Sequence, residues 1–422
     1  MNEKYYKLKD KKFIIFLFSL CFLVYLSTYL GRLNYSASIT AILEEGIFTK
    51  SQTGIIGTTF FFTYGLGQFI SGFLGDKITP KKLVFLGVFI SSISNLFMAF
   101  TNNYLIMVLA WSINGLFQSF IWSPMIRFIV DFLDDSIKSK TCIYLNLSVP
   151  LGTILTYIMT ASIIKFKSWK FVFILSGIIL LIISILWLIG YNLIEKNAKN
   201  NGIQYEKKVI KNDNKNNNNT NINIISLIIS SGFIFLLFSL IVQGSLKDGV
   251  TNWVPVYINE TYNLGSSISI ISTIIIPIFN IFGVYFASIL NHKIKNEIKT
   301  SAIFFGICTI CLFILFISSG KSVFISLLML GISTTTMMAV NTLLIGLLPI
   351  NFDKINKVSS ISGILNSFVY IGGAISTYGI GIMSEKIGWN NTILVWIILS
   401  IISCTICLAI LKKWNNYRLN NL

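Results

Sequence analysis

Two phenols and one guanidinium share a helical face near the start of this chain. Tyr25, Tyr29 and Arg32 are spaced i, i+4 and i+7 inside the first long apolar run, so a helix places them on one side. An arginine inside a bilayer costs about 3 to 17 kcal/mol unless it meets water or a partner. Glu44 and Glu45 lie beyond the end of that run. Arg32 is therefore predicted to bind an anion carried by a ligand, and the alternative is a structural arginine that donates to carbonyls of a neighbouring helix.

Two further basic residues, Arg127 and Lys247, lie inside apolar runs. Asp131 follows Arg127 by one helical turn, which predicts an i,i+4 ion pair with a structural or gating role. Direct contact of Arg127 with a ligand is the alternative. Asp248 follows Lys247 directly and can pair with it at rest, although neighbours in an α-helix point about 100° apart.

The elements that carry these residues are predicted to cross a membrane. The chain has 422 residues, of which 54% are hydrophobic and 12% charged, and apolar runs of about 20 residues match a hydrocarbon core of about 30 Å. The first run is too long for a signal-peptide core and lacks a cleavage site, so we expect it to be retained. We predict an all-α polytopic protein with twelve spans, at 13–40, 52–74, 83–101, 104–131, 140–164, 169–191, 224–256, 266–290, 300–319, 322–348, 358–383 and 390–411.

The net charge of +17 is distributed as in a membrane protein rather than in a nucleic-acid-binding protein. Of the 33 Lys and Arg residues, 24 lie in the termini and in alternate loops, six in the opposite loops and three inside spans. Positive charge favours the cytoplasmic side of a membrane. We therefore predict a multi-pass protein of the cell (inner) membrane with both termini in the cytoplasm, a lipid bilayer as its environment and no nucleic-acid partner.

No pattern in the sequence predicts an enzyme, a metal or a cofactor. Two Cys-Thr-Ile-Cys repeats, Cys308 to Cys311 and Cys404 to Cys407, have the spacing of zinc ligands. Both lie within apolar runs, and the single histidine, His292, is in a loop, so the cysteines are interpreted as small buried side chains. The chain also lacks a phosphate loop ending in Gly-Lys-Ser/Thr. The sequence therefore does not predict an ATP-driven motor, and any energy that the protein uses would come from a gradient.

The sequence divides into two halves of six spans. Residues 192–223 form an Asn- and Lys-rich tract, which cannot bury enough apolar area to fold and is predicted to be a disordered cytoplasmic linker. This gives an N-terminal bundle at 1–191 and a C-terminal bundle at 224–422. At an offset of 220, Phe132 matches Phe352, Asn146 matches Asn366 and Gly152 matches Gly372. Such a repeat is typical of transporters that bind their substrate between two related bundles.

The loop after the second span resembles the cytoplasmic loop signature of the major facilitator superfamily. It reads Gly72-Phe-Leu-Gly75-Asp76-Lys77 and continues to Lys81-Lys82. Thr79 and Pro80 depart from the usual glycine and basic residue. Asp76, followed by Lys77 at the helix end, could act as a gating latch by pairing with basic residues of a neighbouring helix in one state only. The alternative for the lysines is a solvated, positively charged loop.

Longer strings resemble one branch of that superfamily, the organophosphate:phosphate antiporters, over nearly the whole chain. These strings are Gly115-x-x-Gln118…Trp122-x-Pro124…Arg127, Gly249-x-x-x-Trp253-x-Pro255-x-Tyr257 and Tyr370-Ile-Gly-Gly373, together with the Tyr–Tyr–Arg face described above. The resemblance implies that basic residues on helices 1 and 7 hold the phosphate. Carried over, the substrate-binding residues are Arg32, Lys247, Tyr25, Tyr29, Asn146 and Tyr370.

Two departures from that branch concern the substrate. Lys247 stands where arginine is common, so a guanidinium that could donate two parallel N–H bonds to a phosphate is replaced by an ammonium, a point charge. Val149 stands where many members have histidine. Two cations from related helices can still neutralise a phosphate dianion, and phenols add hydrogen bonds.

The leading hypothesis is a monomeric secondary transporter that exchanges an organic phosphate ester for inorganic phosphate. A second hypothesis is proton-coupled symport of an organic carboxylate such as a hexuronate, which requires a titratable group in the pathway. Asp248 is the plausible carboxylate. A third is a transporter-like sensor of sugar phosphate, because some relatives of these antiporters have that role.

Overall fold

The computed structural model describes residues 5–134, 137–138, 141, 144–145, 147–205, 232–349, 351 and 358–421. Within these ranges lie sixteen α-helices, two π-helical turns and two three-residue strands. We call the described residues within 5–205 the first half and the described residues within 232–421 the second half.

The first half contains eight helices. They are α1 (Lys11–Leu30), α2 (Leu33–Glu44), α3 (Lys50–Lys77), α4 (Pro80–Phe100), α5 (Tyr104–Gln118), α6 (Trp122–Phe132), α7 (Ser148–Ile164) and α8 (Lys170–Asn201). Strand β1 (Tyr5–Lys7) pairs antiparallel with β2 (Ile203–Tyr205), which ties the start of the chain to the end of α8.

The second half contains eight more helices. They are α9 (Phe233–Gly244), α10 (Val250–Tyr262), α11 (Ser266–Ser272), α12 (Ile275–Ile294), α13 (Glu297–Ser318), α14 (Val323–Asn341), α15 (Val358–Lys386) and α16 (Gly388–Asn421). A π-helical turn, Ser245–Gly249, joins α9 to α10, and a second one, Thr342–Leu347, extends α14.

Each of the twelve predicted spans coincides with one helix or with a broken helix. Spans 1, 4, 7 and 8 are interrupted and correspond to the pairs α1–α2, α5–α6, α9–α10 and α11–α12. Among the described residues, nine helical segments are long and apolar enough to cross a membrane, and α7 is a shorter apolar helix. The interruptions in spans 1 and 7 fall at two of the basic residues singled out above.

Capping side chains and a proline mark the starts of several helices. Asp10 accepts from the backbone N–H of Lys12 at the start of α1, and Asn103 accepts from two N–H groups at the start of α5. Pro80 occupies the first turn of α4, where its missing N–H costs nothing. Between these ends the helices expose many large apolar side chains, such as Phe97 on α4 and Leu109 on α5, as expected for a surface that faces lipid.

The predicted linker starts too early. Residues 192–201 continue α8 and residues 203–205 form β2, whereas 206–231 lie outside the described residues. The helix continues because Ile194 and Ala198 are fully or almost fully buried in a cluster that includes Leu8 near the N-terminus. The polar composition of this stretch concealed a short apolar stripe at helical spacing.

The two halves meet along α3 and α15. Thr58 donates to the carbonyl of Ala374 over 2.8 Å, and added Cβ atoms at Gly54 and Gly57 would touch Thr377. Further contacts between the halves cluster at the end of the molecule that carries the α2–α3 connection. Helix α15 also packs against the Ser245–Gly249 turn, where an added Cβ at Gly249 would clash with Ser376.

Candidate anion-binding site

The first helix breaks at the point where Arg32 leaves it. Helix α1 ends at Leu30, Gly31 caps it with its N–H directed at Thr28 and Tyr29, and Arg32 has φ −128° and ψ −37°. Non-helical backbone at membrane depth is tolerated where neighbouring protein groups satisfy it. The break thus requires specific polar partners around Gly31.

Buried amides supply those partners. The carbonyl of Gly31 accepts from Asn95 Nδ2 at 3.1 Å and from Asn114 Nδ2 at 2.8 Å. Asn34 donates to Asn95 Oδ1 at 2.7 Å, and Ser91 donates to Asn114 Oδ1 at 2.6 Å. All four of these side chains have under 1% exposure, so the network fixes the break rigidly.

The Arg32 guanidinium lies among aromatic rings. Its Cζ is 3.8 Å from the ring centroid of Tyr29 and 5.9 Å from that of Tyr64. Within the described part of the chain, no carboxylate lies in ion-pair range of Arg32. Tyr25 packs edge-on against Tyr29 and at 4.4 Å from the ring of Trp122. The cation is therefore held by π faces and phenols rather than by an acid.

Lys247 lies where the helix of the seventh span winds irregularly, between α9 and α10. It lies in the π-helical turn Ser245–Gly249, a type of distortion that is frequent at functional sites. Its Nζ is 3.3 Å from Asp248 Oδ2, and the two side chains are 20% and 26% exposed. The pairing of these sequence neighbours, which the sequence left open, is present in the structure.

Arg32 and Lys247 occupy equivalent positions in the two halves. Gly152 on α7 packs against the carbonyl of Leu26, and Gly372 on α15 packs against the carbonyl of Ile241, so closely that an added Cβ would clash in both places. Arg32 follows Leu26 by six residues, and Lys247 follows Ile241 by six residues. The glycines matched at offset 220 thus bring the two cations to corresponding depths.

Tyrosines and one carboxylate connect the two cationic residues. The rings of Tyr64 and Tyr370 lie 5.1 Å apart across the interface between the halves. Tyr370 interacts electrostatically with Arg32 and with Asp248, and Asp248 also interacts with Tyr29 of the first half. The structure therefore brings five of the predicted residues into one region: Arg32, Lys247, Tyr25, Tyr29 and Tyr370.

Other predicted residues lie elsewhere or outside the description. Asn146 lies outside the described residues, as do the side chains of Asp76 and Lys77, whose backbone ends α3. Arg127 Nε is 3.5 Å from Asp131 Oδ2 on α6, the i,i+4 pairing that the spacing predicts.

Sequence reasoning missed Tyr64, which contacts both Arg32 and Tyr370. It lies on α3, whose two lysines, Lys50 and Lys77, are at the ends of the helix and far from Tyr64 along the chain. Its only signal in the sequence is an aromatic side chain directly before the small residues Gly65 and Gly67.

The sequence matches a family model of membrane transporters. Residues 21–377 match the model of the Major Facilitator Superfamily. The chain belongs to this superfamily, whose members are transporters and not enzymes.

Curated relatives agree with the more specific resemblance. A probable hexose phosphate transport protein of Chlamydia trachomatis serovar D is 22% identical over 93% of this chain and 89% of the relative. The glycerol-3-phosphate transporter of Bacillus subtilis strain 168 is 25% identical over 93% and 90%. A membrane sensor protein, UhpC, of Escherichia coli K12 is 22% identical over 37% and 36%. These names confirm the resemblance to the organophosphate:phosphate antiporters.

Solved structures share the fold. A bacterial homologue of the human lysosomal transporter Spinster, in an inward-facing and occupied conformation, superposes with a TM-score of 0.78 at 11% identity, covering 98% of this chain and all of the other. A D-xylose–proton symporter superposes with a TM-score of 0.72 at 13% identity, covering 95% and 97%. The predicted all-α transporter fold with twelve membrane-spanning segments is confirmed.

Proposed function

We propose that this protein is a secondary transporter that exchanges an organic phosphate ester for inorganic phosphate. The observation that carries the proposal is the equivalent placement of Arg32 and Lys247 in the two halves, with tyrosines between them. The hexose phosphate and glycerol-3-phosphate transporters among its relatives support the same substrate class.

The chemistry of these groups suits a phosphate. A guanidinium can donate two parallel N–H bonds to phosphate oxygens, and an ammonium adds a point charge. Phenol hydroxyls of Tyr25, Tyr29 and Tyr370 can donate to the remaining oxygens. A phosphate monoester is an anion at pH 7, which suits a site of net positive charge.

Exchange follows from the same charges. An empty site with uncompensated positive charge is costly to enclose in a low-dielectric interior, so the empty carrier returns slowly. A bound anion removes that cost, and rocking of the two halves about the site then moves one anion in each direction.

The setting of the transporter is part of the proposal. The positive loops support a cell (inner) membrane protein with both termini in the cytoplasm. With that orientation, the end of the molecule where Lys50 pairs with Glu260 faces outward, and contacts such as that of Thr58 with Ala374 join the halves there. We propose that it acts as a monomer, since each chain supplies both cations.

The test is phosphate self-exchange in proteoliposomes. Vesicles loaded with inorganic phosphate are expected to take up labelled phosphate, and Arg32→Ala is expected to lower the rate at least 100-fold, because one buried charge-assisted contact is worth about 3 kcal/mol. Lys199→Ala, at an exposed helical ion pair, serves as the control with an unchanged rate. Unchanged exchange by Arg32→Ala would remove Arg32 from the site and with it this proposal.

A second candidate is a sensor that binds sugar phosphate without moving it, which the match to the membrane sensor protein UhpC favours. Binding of a sugar phosphate to purified protein, with no flux in the same vesicles, would select the sensor.

A protonophore distinguishes phosphate exchange from proton-coupled symport of a carboxylate. It collapses the proton gradient, so it stops symport and leaves phosphate self-exchange intact.

A further inference from the structure

Asp248 places a fixed negative charge inside the proposed site. Its carboxylate pairs with Lys247 at 3.3 Å, and its Cβ lies against α15 where Gly373 leaves room, 3.6 Å from the position of an added Cβ. Gly373 follows Tyr370 by three residues, about one helical turn. Asp248 therefore lies between Lys247 and the part of α15 that carries Tyr370.

The charged and titratable groups around this carboxylate are few in the described part of the chain. They are Lys247, which shares the π-helical turn with Asp248, Tyr370 on α15 and Tyr29 on α1. The guanidinium of Arg32 lies over the ring of Tyr29. With neutral phenols, two cations and one carboxylate give the empty site a net charge of +1. One of the two cations is already compensated before any ligand arrives.

We propose that Asp248 is a specificity-determining residue that tunes this site to singly charged oxyanion esters, such as the protonated form of a phosphate monoester. A monoanion brings the site to neutrality, whereas a dianion leaves one uncompensated negative charge beside Asp248. The inference rests on the proposed function, since it deepens the description of the same site. One uncompensated charge at an effective dielectric near 20 corresponds to a preference of roughly tenfold or more.

Two anions of permanent charge test this preference without a change of pH. Inorganic sulfate is a dianion and methyl sulfate is a monoanion throughout the neutral range. Each is titrated as an inhibitor of labelled phosphate self-exchange. In the unmodified protein, methyl sulfate is expected to inhibit at a concentration at least tenfold lower than sulfate. In Asp248→Asn the order is expected to reverse. Because the two anions keep their difference in size in every variant, a change of the ratio reports charge.

Three variants control the experiment. Asp248→Glu keeps the charge and is expected to keep the preference for methyl sulfate. Asp248→Ser replaces Asp248→Asn if the latter does not fold. Glu195→Gln neutralises the acid of the exposed Glu195–Lys199 pair, at 2.7 Å on α8, and is expected to leave the ratio unchanged.

The outcomes separate this inference from the proposed function. If the unmodified protein does not exchange phosphate, the proposed function fails. The same two anions are then titrated against purified protein, and the rise in unfolding temperature is measured. The ratio of the concentrations of sulfate and methyl sulfate that give the same rise still reports the charge preference. Three results would overturn the role of Asp248. They are a preference for sulfate in the unmodified protein, a sulfate-to-methyl sulfate ratio in Asp248→Asn that equals the ratio in the unmodified protein, and no response to either anion.

Discussion

Among single residues, Arg32 shows how a cation can lie inside a membrane protein with no carboxylate of the described residues in ion-pair range. Its guanidinium is half-buried and lies over the ring of Tyr29, with Tyr64 on a second side. Cation–π contact offsets part of the desolvation cost and leaves the N–H donors available. A carboxylate at the same place would compete directly with an anionic substrate.

Removal of the Tyr29 ring is expected to weaken substrate binding. A cation–π contact of this kind is worth about 0.5 to 2 kcal/mol, so Tyr29→Ala should raise the KM for phosphate self-exchange by about 2- to 30-fold. Tyr29→Phe keeps the ring and should change the KM by less than about threefold.

Tyr285→Ala is the control for this prediction, since that tyrosine is 64% exposed on α12. Equal KM values for Tyr29→Ala and the unmodified protein would show that the ring does not support Arg32.

At the scale of elements, the break between α1 and α2 depends on amides from two other helices. Asn95 on α4 and Asn114 on α5 both donate to the carbonyl of Gly31. An added Cβ at Gly31 would collide with Leu180 on α8, so the close approach of three helices requires glycine there. The direction of Arg32 is thus set by residues far from it in the sequence.

Asn114→Ala is expected to destabilise this break. The substitution leaves the carbonyl of Gly31 with one donor fewer and the hydroxyl of Ser91 without its acceptor, at a cost of about 1 to 3 kcal/mol. Thermal unfolding in detergent should occur at a lower temperature, and phosphate self-exchange should slow.

Asn391→Ala removes an exposed amide that donates to the carbonyl of Ile387, the residue directly before α16, and should leave both measurements unchanged. An unfolding temperature for Asn114→Ala equal to that of this control would contradict the role of the network.

At the scale of the whole molecule, polar contacts link the halves at the end that carries the α2–α3 connection. Lys50 pairs with Glu260 at 2.7 Å, and Trp389 donates to the same carboxylate at 2.8 Å. The backbone N–H of Ser51 donates to Glu385. Exposed ion pairs contribute about 0 to 1 kcal/mol each, so this closure can open readily, as an exchanger requires.

A covalent link across this closure is expected to stop transport. Lys50→Cys with Glu260→Cys, in a background without native cysteines, is joined by a short bifunctional methanethiosulfonate reagent. Phosphate self-exchange should fall at least tenfold and return after reduction, because alternating access needs the halves to separate.

Lys199→Cys with Glu195→Cys is the matched control, because that pair has the same 2.7 Å separation within one helix. Full exchange by the linked Lys50–Glu260 protein would show that this end does not open during transport.

Composition and helical spacing were enough to predict the class of the protein and the need of its cations for an anion or another partner. Long apolar runs must cross a membrane, and buried Arg32 and Lys247 must meet an anion or a partner, since burial of a lone charge is too costly. These constraints are local in the sequence or follow from composition. The same reasoning placed the linker too early, because polar composition outweighed the buried stripe of Ile194 and Ala198.

The assembly of the site depends on packing between helices that no local pattern in the sequence encodes. Sequence could not show that Tyr64 from α3 lies beside Arg32, that amides of α4 and α5 hold the Gly31 break, or that Asp248 pairs with Lys247. The first two depend on packing between helices distant in the chain, and the third on the unusual winding of a π-helical turn. Helical periodicity fixes the face on which a residue lies, whereas its neighbours are fixed by the way that close-packed helices meet.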